Sequence, residues 1–386
     1  MPTRRGLGLL ASSLVLGGTG WALRWPEFVL AGLCGLILVA LSVIFVARRS
    51  AFSVQRGLDP PRVVAGSEAT AHIVIRARSV VRGLHGRDRV DAGDVEFDIP
   101  RVAAGDTHET RYPVATARRG VITVGPLTLE RSDPIGLAAK GAARIEPVSL
   151  IVHPRTDRLR LPPPAVMRAL DGVVDNAEPN GSLSFSMLRE YVPGDDRRRI
   201  HWPSSARLGH LVVKELVDAN LPGVSLLLDC REGVTDDQMA EERISIAASI
   251  ARFVVDQGFV GELVLSDGSC HSWDLGAARP VEDLLDFLAT AQLHSEGGLD
   301  FGIQRLLMSQ PGRLAIGILG SAARGELAQV AMLKRRFSAV TGVQVVSGRP
   351  QIGNTMGIGR IQAPTCESFA QLWNAGAGDA VTQRVS

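Results

Sequence analysis

Two apolar runs at the start of the chain settle its relation to water before anything else can be read. The first, Leu7 to Leu23, follows Arg4 and Arg5; the second, Phe28 to Ala47, follows Arg24 and Glu27 and is closed by Arg48 and Arg49. A helix crosses the hydrocarbon core of a bilayer with about 20 apolar residues, within a range of roughly 17–25. The second run meets that length, whereas the first is marginal and rich in Gly and Ser. A basic start with a short apolar core also fits a cleaved signal peptide. No small-residue cleavage site stands near Trp21 to Trp25, and another long apolar run follows at once. The expectation is therefore a transmembrane helix hairpin over residues 1–50. Arginine pairs flank both outer ends and only Arg24 sits in the connection, so the positive-inside rule predicts two spans with both ends in the cytoplasm. The lipid bilayer is then a partner, and the rest of the chain is a cytoplasmic body.

That body is too long for one compact domain, since the chain has 386 residues. Hydrophobic residues at 45% and charged residues at 21% exclude wholesale disorder. Lys+Arg 42 against Asp+Glu 40 excludes a strongly basic nucleic-acid binder, and 5% aromatic residues leave little for base stacking, so no nucleic acid is expected as a partner. Cys34, Cys230, Cys270 and Cys366 lie far apart, which argues against a thiolate zinc site and a disulfide framework and fits reduced thiols.

From Phe52 to about Pro154 short apolar runs of period two alternate with Gly, Pro and Asp: Thr70 to Ile75, Val95 to Ile99, Val121 to Val124 and Val148 to Val152. The pattern predicts an antiparallel β-sandwich over residues 51–160. Asp133-Pro134-Ile135-Gly136 reads as a structural corner, with Pro pre-setting φ. Pro162-Pro163-Pro164 marks a linker. Beyond Val224 the period changes. Val224 to Leu228 and Leu314 to Leu319 are continuous apolar runs, as expected of strands buried on both faces. Helical spacing runs over Asp236 to Asp256, with Ile244, Ala247, Ala248, Ala251, Phe253 and Val254 on one side. It recurs at Val281 to Gln292, Phe301 to Met308 and Glu326 to Arg336. With Glu262 to Leu265, an edge strand near His271 to Leu275 and a last strand at Val343 to Val346, this predicts a doubly wound α/β domain over residues 223–350. Residues 351–386 read as a flexible tail, and Gly353 to Gly359 as a flexible surface loop.

The densest polar stretch, Ser186 to Glu215, falls in a segment of residues 161–222 between the two domains. Arg189, Arg199 and Arg207 find candidate carboxylates in Glu190, Asp195, Asp196 and Glu215, because a guanidinium pairs a carboxylate with fork geometry. Tyr191, Ile200, Trp202 and Leu211 are the candidate core anchors. Pro193-Gly194-Asp195 reads as a turn, Ile200 to Ala206 as a short helical turn, and His210 to Leu216 as a strand. Arg197, Arg198 and Arg199 read as a solvated run balanced by Asp195 and Asp196, with contact to an acidic partner or lipid headgroups as the alternative.

The string R-E-Y-x-P-G-D-D-x-R-x-I-x-W-x-x-S-A-R-x-G-x-L-x-V resembles the signature of domain-of-unknown-function family fifty-eight. Here Arg189, Glu190, Tyr191, Pro193, Gly194, Asp195, Asp196, Arg197, Arg199, Ile200, Trp202, Ser205, Ala206, Arg207, Gly209, Leu211 and Val213 carry it. His201 and Pro203 depart from the Asp and Lys expected at those places. Arg119-Gly120, Gly125-Pro126-Leu127 and the Asp133 turn are similar to the family's β-domain. The resemblance implies a membrane-anchored bacterial protein with a von Willebrand factor A-like domain, linked to MoxR-type AAA+ ATPases and to transglutaminase-like membrane proteins. The family has no established enzymatic activity, so Arg189, Glu190, Tyr191, Gly194, Asp195, Asp196, Arg199, Trp202, Ser205 and Arg207 are expected to be structural or partner-docking rather than catalytic.

Integrin-type A domains bind Mg²⁺ through D-x-S-x-S, a Thr and a further Asp, because that ion needs hard oxygen ligands. The corresponding loops here are Asp229-Cys230-Arg231-Glu232-Gly233, Gly297-Gly298-Leu299-Asp300 and Gly320-Ser321, which lack both serines, the Thr and the third carboxylate. No metal and no cofactor are expected, and Asp229 should act as an N-cap or pair with Arg231. A hydrolase centred on His201 and Ser204, with Asp195, is the competing reading. Triads normally gather residues from distant loops, no G-x-S-x-G elbow occurs, and no Walker A sequence is present.

Overall fold

The computed structural model describes residues 1–48, 51–91, 93–160, 184–191, 200–217, 223–234, 236–274, 276–295, 298–309, 314–320 and 324–382. These form two units, Met1–His153 and Pro154–Ser386.

In the first unit, helices α1 (Arg4–Ala22) and α2 (Pro26–Ala47) run antiparallel, with Gly20 against Phe28, Gly17 against Gly32 and Ser13 against Gly35. A Cβ on Gly32 would stand 2.7 Å from the Ser13 carbonyl oxygen, so only glycine permits this approach. Helix α2 is inside out for a water-soluble protein. Gly32, Gly35 and Ser42 are buried, while Leu30, Leu33, Ile37, Leu38, Leu41 and Ile44 are exposed. Among the described helices α2 alone is long and apolar enough to cross a membrane. Helix α1, the run read as marginal, does not reach that standard, so the expectation of two spans finds support for α2 alone.

Period-two burial builds the sandwich. Strands β1 (Phe52–Asp59), β3 (Ala69–Ala77) and β6 (Thr107–Val114) form one antiparallel sheet. The other orders β2 (Arg62–Val64), β9 (Val148–His153), β7 (Gly120–Ser132), β4 (Leu84–Val90) and β5 (Gly93–Ile99), with β8 (Ala139–Ile145) paired to β7. Ile73 and Ile75 of the first sheet share one core with Leu127, Leu129 and Leu150 of the second. One departure from the antiparallel expectation is β2, which pairs β9 in parallel.

The predicted corner at Asp133 does more than turn the chain. Its carboxylate accepts from the Ala138 N–H at 2.6 Å, the Ile135 N–H at 3.2 Å and the Ser42 hydroxyl of α2 at 3.1 Å. The Met1 amino group donates to the Ala139 carbonyl at 2.7 Å, and the Thr3 hydroxyl to that of Gly136 at 2.7 Å. Helices and sandwich are therefore one unit, not the two separate bodies divided at residue 50 that composition suggests.

The second unit is built on a sheet of order β14-β13-β12-β15-β16-β18-β17. Its parallel strands are β12 (Val224–Leu228), β13 (Gly261–Leu265), β15 (Leu314–Leu319), β16 (Ala339–Val345) and β18 (Ile358–Ala363). The edges β14 (Cys270–Trp273) and β17 (Gln351–Thr355) are antiparallel. Helices α4 (Asp237–Asp256), α5 (Pro280–Thr290) and α8 (Cys366–Thr382) share a core with Leu226 and Leu228. Helices α6 (Leu299–Met308) and α7 (Arg324–Ala331) share another with Leu227. Alternate residues of one strand thus feed opposite faces, and the doubly wound expectation holds. Separately, β10 (Ser184–Glu190) and β11 (Val212–Val217) pair antiparallel beside the short helix α3 (Trp202–Leu208).

Three boundaries move. Strand β16 lies inside the sheet and is not its last strand. Residues 351–386 are no tail over their described length: β17, β18 and α8 complete the sheet, and Ile361, Phe369 and Trp373 lie in its core. Gly353 to Gly359 is a hairpin whose turn residues Met356 and Gly357 have φ of 56° and 73°. That geometry normally advertises itself as Asn-Gly; Met-Gly hid it. Residues 154–160 belong to the α/β unit rather than the sandwich. The Asp157 N–H donates to the Ser249 hydroxyl at 2.9 Å, and Leu159 joins the α/β core. The proline linker lies outside the described residues.

Candidate functional site

The signature stretch folds as a hairpin with a helical turn across it. Arg189 and Glu190 stand opposite Val213 and Val212, and the Tyr191 N–H donates to the Leu211 carbonyl at 2.9 Å. The Ser205 hydroxyl, buried, accepts from the Val212 N–H at 2.9 Å, while the His201 N–H donates to the Val212 carbonyl at 2.8 Å. Gly209, at φ 74°, closes α3 in the left-handed region. The helical turn and the following strand are thus where the sequence puts them. Of the expected anchors, Ile200 is buried and Tyr191 half-buried, but Trp202 is 65% exposed and Leu211 is exposed. The helix opens on Trp202 with a proline in its first turn, and that first residue faces solvent while Ser205 of the same turn is buried. Arg207 is exposed too. Gly194, Asp195, Asp196 and Arg199, with the turn and the ion-pair clamp read onto them, lie outside the described residues. Ser205→Ala removes the hydroxyl that accepts from the Val212 N–H. An unsatisfied buried donor costs about 1–3 kcal/mol, so this variant should expose the Val212 amide to faster hydrogen exchange and lower the denaturant midpoint.

His201 and Ser204 meet, ring Nδ1 to hydroxyl oxygen at 2.8 Å, within one helical turn whose Ser204 N–H donates to the His201 carbonyl at 3.1 Å.

A second cluster sits at the topological switch point, where the order reverses between β12 and β15. Ligands of doubly wound sheets bind there, beyond the carboxyl ends of the strands. Asp229 follows β12 directly, and its N–H extends the ladder to the Ile318 carbonyl at 2.9 Å. Its carboxylate is 0% exposed and gripped by Arg231 in a fork, Nε to Oδ1 at 2.8 Å and Nη2 to Oδ2 at 2.9 Å. Arg231 Nη2 also donates to Glu326 Oε1 at 2.6 Å. Burial pushes the Asp229 carboxyl upward, but the hydrogen bonds and charge of Arg231, with the charge of Arg243, outweigh it and hold the group below the usual carboxylate range.

Arg243 of α4 is the unusual member. It is 1% exposed, and among the described residues none of its three guanidinium nitrogens has a hydrogen-bond partner, nor does the second oxygen of Glu326. A Cβ at Gly320 would fall 1.5 Å from Arg243 Nη1, so the guanidinium lies directly on the glycine backbone that ends β15. Burial lowers the Arg243 pKa despite the nearby Asp229. Arg231 as the partner of Asp229 was legible in the sequence; Arg243 and Glu326 were missed. The available signal was an arginine on the apolar stripe of α4, one residue before Ile244.

This donor set does not fit the Mg²⁺ that the A-domain resemblance raises. Both Asp229 oxygens are taken by a guanidinium, a second guanidinium stands nearby, and Asp300 is exposed in the first turn of α6. Among the described residues no three or more His, Cys, Asp or Glu side chains converge as a metal site.

Residues 187–269 match the family described as "Protein of unknown function DUF58", a span that takes in the signature hairpin, Asp229, Arg231 and Arg243. No protein among those of curated function matches the chain. Among solved structures it is similar to a CARDB domain from Pyrococcus furiosus, solved in complex with di-metal ions: 7% identity over 27% of this chain and 93% of that one, TM-score 0.20. It is also similar to the C-terminal domain of wzt, at 8% identity over 29% of this chain and 83% of that one, TM-score 0.23. The sporulation control protein Spo0M from Bacillus subtilis gives 11% identity over 36% of this chain and 58% of that one, TM-score 0.17.

Proposed function

We propose that this chain, whose residues 187–269 carry the segment of the DUF58 family, is a membrane-anchored docking protein without a catalytic centre of its own. The observation that carries the reading is the fork of Arg231 on Asp229. A substrate or metal at the switch point would need that carboxylate, and the chain's own guanidinium already holds both of its oxygens. The α/β unit then serves as a von Willebrand factor A-like module that binds neighbours. The exposed Trp202, Leu208 and Leu211 around α3 offer a contact face for one of them.

The anchor is a hairpin in which α1 completes the crossing begun by α2. Two facts support it: α2 turns its apolar side chains outward, and the amino terminus bonds to the sandwich that follows α2, which suits two ends on one side. Arg4, Arg5, Arg48 and Arg49 orient both ends toward the cytoplasm. A MoxR-type AAA+ ATPase and a transglutaminase-like membrane protein are the expected partners, and assembly or maturation of cell-envelope complexes is the expected role.

Crosslinking in native membranes followed by affinity capture tests this reading. An AAA+ ATPase should be recovered with the wild-type chain and lost with Trp202→Ala/Leu211→Ser; its absence from the wild-type capture would sink the proposal. The 2.8 Å contact between His201 and Ser204 favours a second reading, a hydrolase of unknown substrate. If the folded His201→Ala/Ser204→Ala variant keeps the full cellular phenotype, that reading is eliminated.

A further inference from the structure

We propose that the outer surface of α6 and the 3₁₀ turn Met332–Arg335 docks an acidic segment of a partner protein. The inference rests on the docking reading of the α/β unit, and adds to it a second face and the chemistry of what binds there.

Charge is segregated along this chain. Its 42 Lys and Arg and 40 Asp and Glu nearly cancel, yet residues 301–366 hold eight of the former and a single acid, Glu326. That acid is already engaged, accepting from Arg231 Nη2 at 2.6 Å. Arg305, Lys334, Arg335 and Arg336 are exposed, and among the described residues no carboxylate pairs with any of them. Their hydrogen bonds go to neutral groups. Arg305 Nη2 donates to Cys270 Sγ at 3.3 Å, Lys334 Nζ to the Gly357 carbonyl at 2.9 Å and Arg336 Nη2 to the Ser309 carbonyl at 2.7 Å.

The last of these bonds ties the end of the turn to the end of α6, and Leu333 and Phe337 share a core with Ile303 and Leu306. The two elements therefore present one surface. With Leu299, Ile303 and Leu306 buried, α6 leaves Phe301, Arg305 and Met308 in an outward row at helical spacing. Phe301 is 59% exposed and Met308 83%, and Met332 of the turn adds 43%. Methionine is flexible and polarisable, which suits a surface that repacks against a partner. The bland explanation is that single apolar side chains and solvated cations are both ordinary on a surface. It does not account for the loss of counter-charges from all the chain between Phe301 and Cys366 but for one engaged glutamate.

The mixture of groups selects the partner. A nucleic-acid backbone would satisfy the cations and leave the methionines wet. A membrane surface takes up a helix by a continuous apolar face, and α6 has buried its own against the sheet. A protein segment in which carboxylates accompany apolar side chains meets both requirements.

The test places the photo-crosslinking residue p-benzoylphenylalanine at position 308, 332 or, as a control, the exposed Gln371 of α8, in the full chain in native membranes. One protein should be captured from positions 308 and 332 and not from 371, through a segment that peptide mapping shows to be net acidic. Arg305→Gln/Arg335→Gln should lower that yield about fivefold, since exposed ion pairs are individually modest. The charge-keeping Arg305→Lys/Arg335→Lys should retain it, and added salt should weaken it. Both variants change exposed side chains and should keep the wild-type denaturant midpoint. Capture no stronger than at 371, a mapped segment without net negative charge, or an unchanged yield in the Gln variant overturns the proposal. Adducts to lipid alone would assign the surface to the membrane, and adducts to a second copy of this chain to self-association; either also overturns it. The α3 face is tested by capture of the ATPase, so each face can fail without the other.

Discussion

Arg231→Met should cost the α/β unit about 3 kcal/mol, seen as a lower denaturant midpoint at neutral pH. The figure is the low end of what breaking a buried ion pair costs, because Asp229 is fully buried but the Arg231 side chain keeps 21% exposure. The loss comes mostly from the charge left behind rather than from the contact removed. Asp229→Asn/Arg231→Met should therefore recover much of it, and the two single changes should not add. The pH dependence carries the same sign. In the wild type the folded pKa of Asp229 lies below its unfolded value of about 3.9. Its contribution is present above that value and is lost as pH falls through the folded pKa. Without Arg231, burial pushes the same group up, so protonation in acid relieves the variant while it penalises the wild type. The gap between them should narrow below about pH 4. A loss under about 1 kcal/mol at neutral pH would mean that Asp229 does not depend on its fork.

Arg243 sets the complementary problem, a buried cation without an acceptor among the described residues, and it explains why this site was only half legible. The Asp229–Arg231 pair is local, two residues apart, so the missing serines and the intervening arginine suffice to suggest it. Arg243 and Glu326 arrive from α4 and α7 across the sheet, and only the fold brings them together. The same distinction runs through the rest of the chain. Val224–Leu228 and Leu314–Leu319 were readable because burial on both faces erases polar alternation. Asp236 was readable as the start of α4 because its side chain accepts from the Met239 N–H at 2.7 Å. Trp202 was misjudged because residue type says nothing about which side of a short helix faces a partner. Met356-Gly357 was missed because its turn is set by two left-handed residues, one of them of a type that rarely adopts that conformation.

Trp373→Ala should remove about 3–5 kcal/mol from the α/β unit, the usual cost of emptying a large aromatic site. The residue lies in α8, a segment whose small-residue composition suggests a fraying end, yet it is 1% exposed. It packs edge-on against Phe253 of α4, with centroids 5.9 Å apart, and against Phe369 at 5.4 Å. Helix α8 thus closes one face of the sheet through two large buried side chains, Trp373 and Phe369. For a unit of this size the loss corresponds to a fall of roughly 10 °C in Tm. Trp373→Phe separates packing from polarity. The indole Nε1 is buried without a hydrogen-bond partner among the described residues, a donor that costs about 1–3 kcal/mol to bury. Phenylalanine gives up some apolar area but also removes that donor, so its loss should be well under half that of alanine. Gln371→Ala, exposed on the same helix, should change stability by less than about 0.5 kcal/mol. If Trp373→Ala proved as silent as Gln371→Ala, α8 would be a fraying end after all, and Phe253 would need another cover. If it unfolds the unit instead, any truncation made before Cys366 to remove an apparent tail removes part of the core on which the Asp229–Arg243 cluster is mounted.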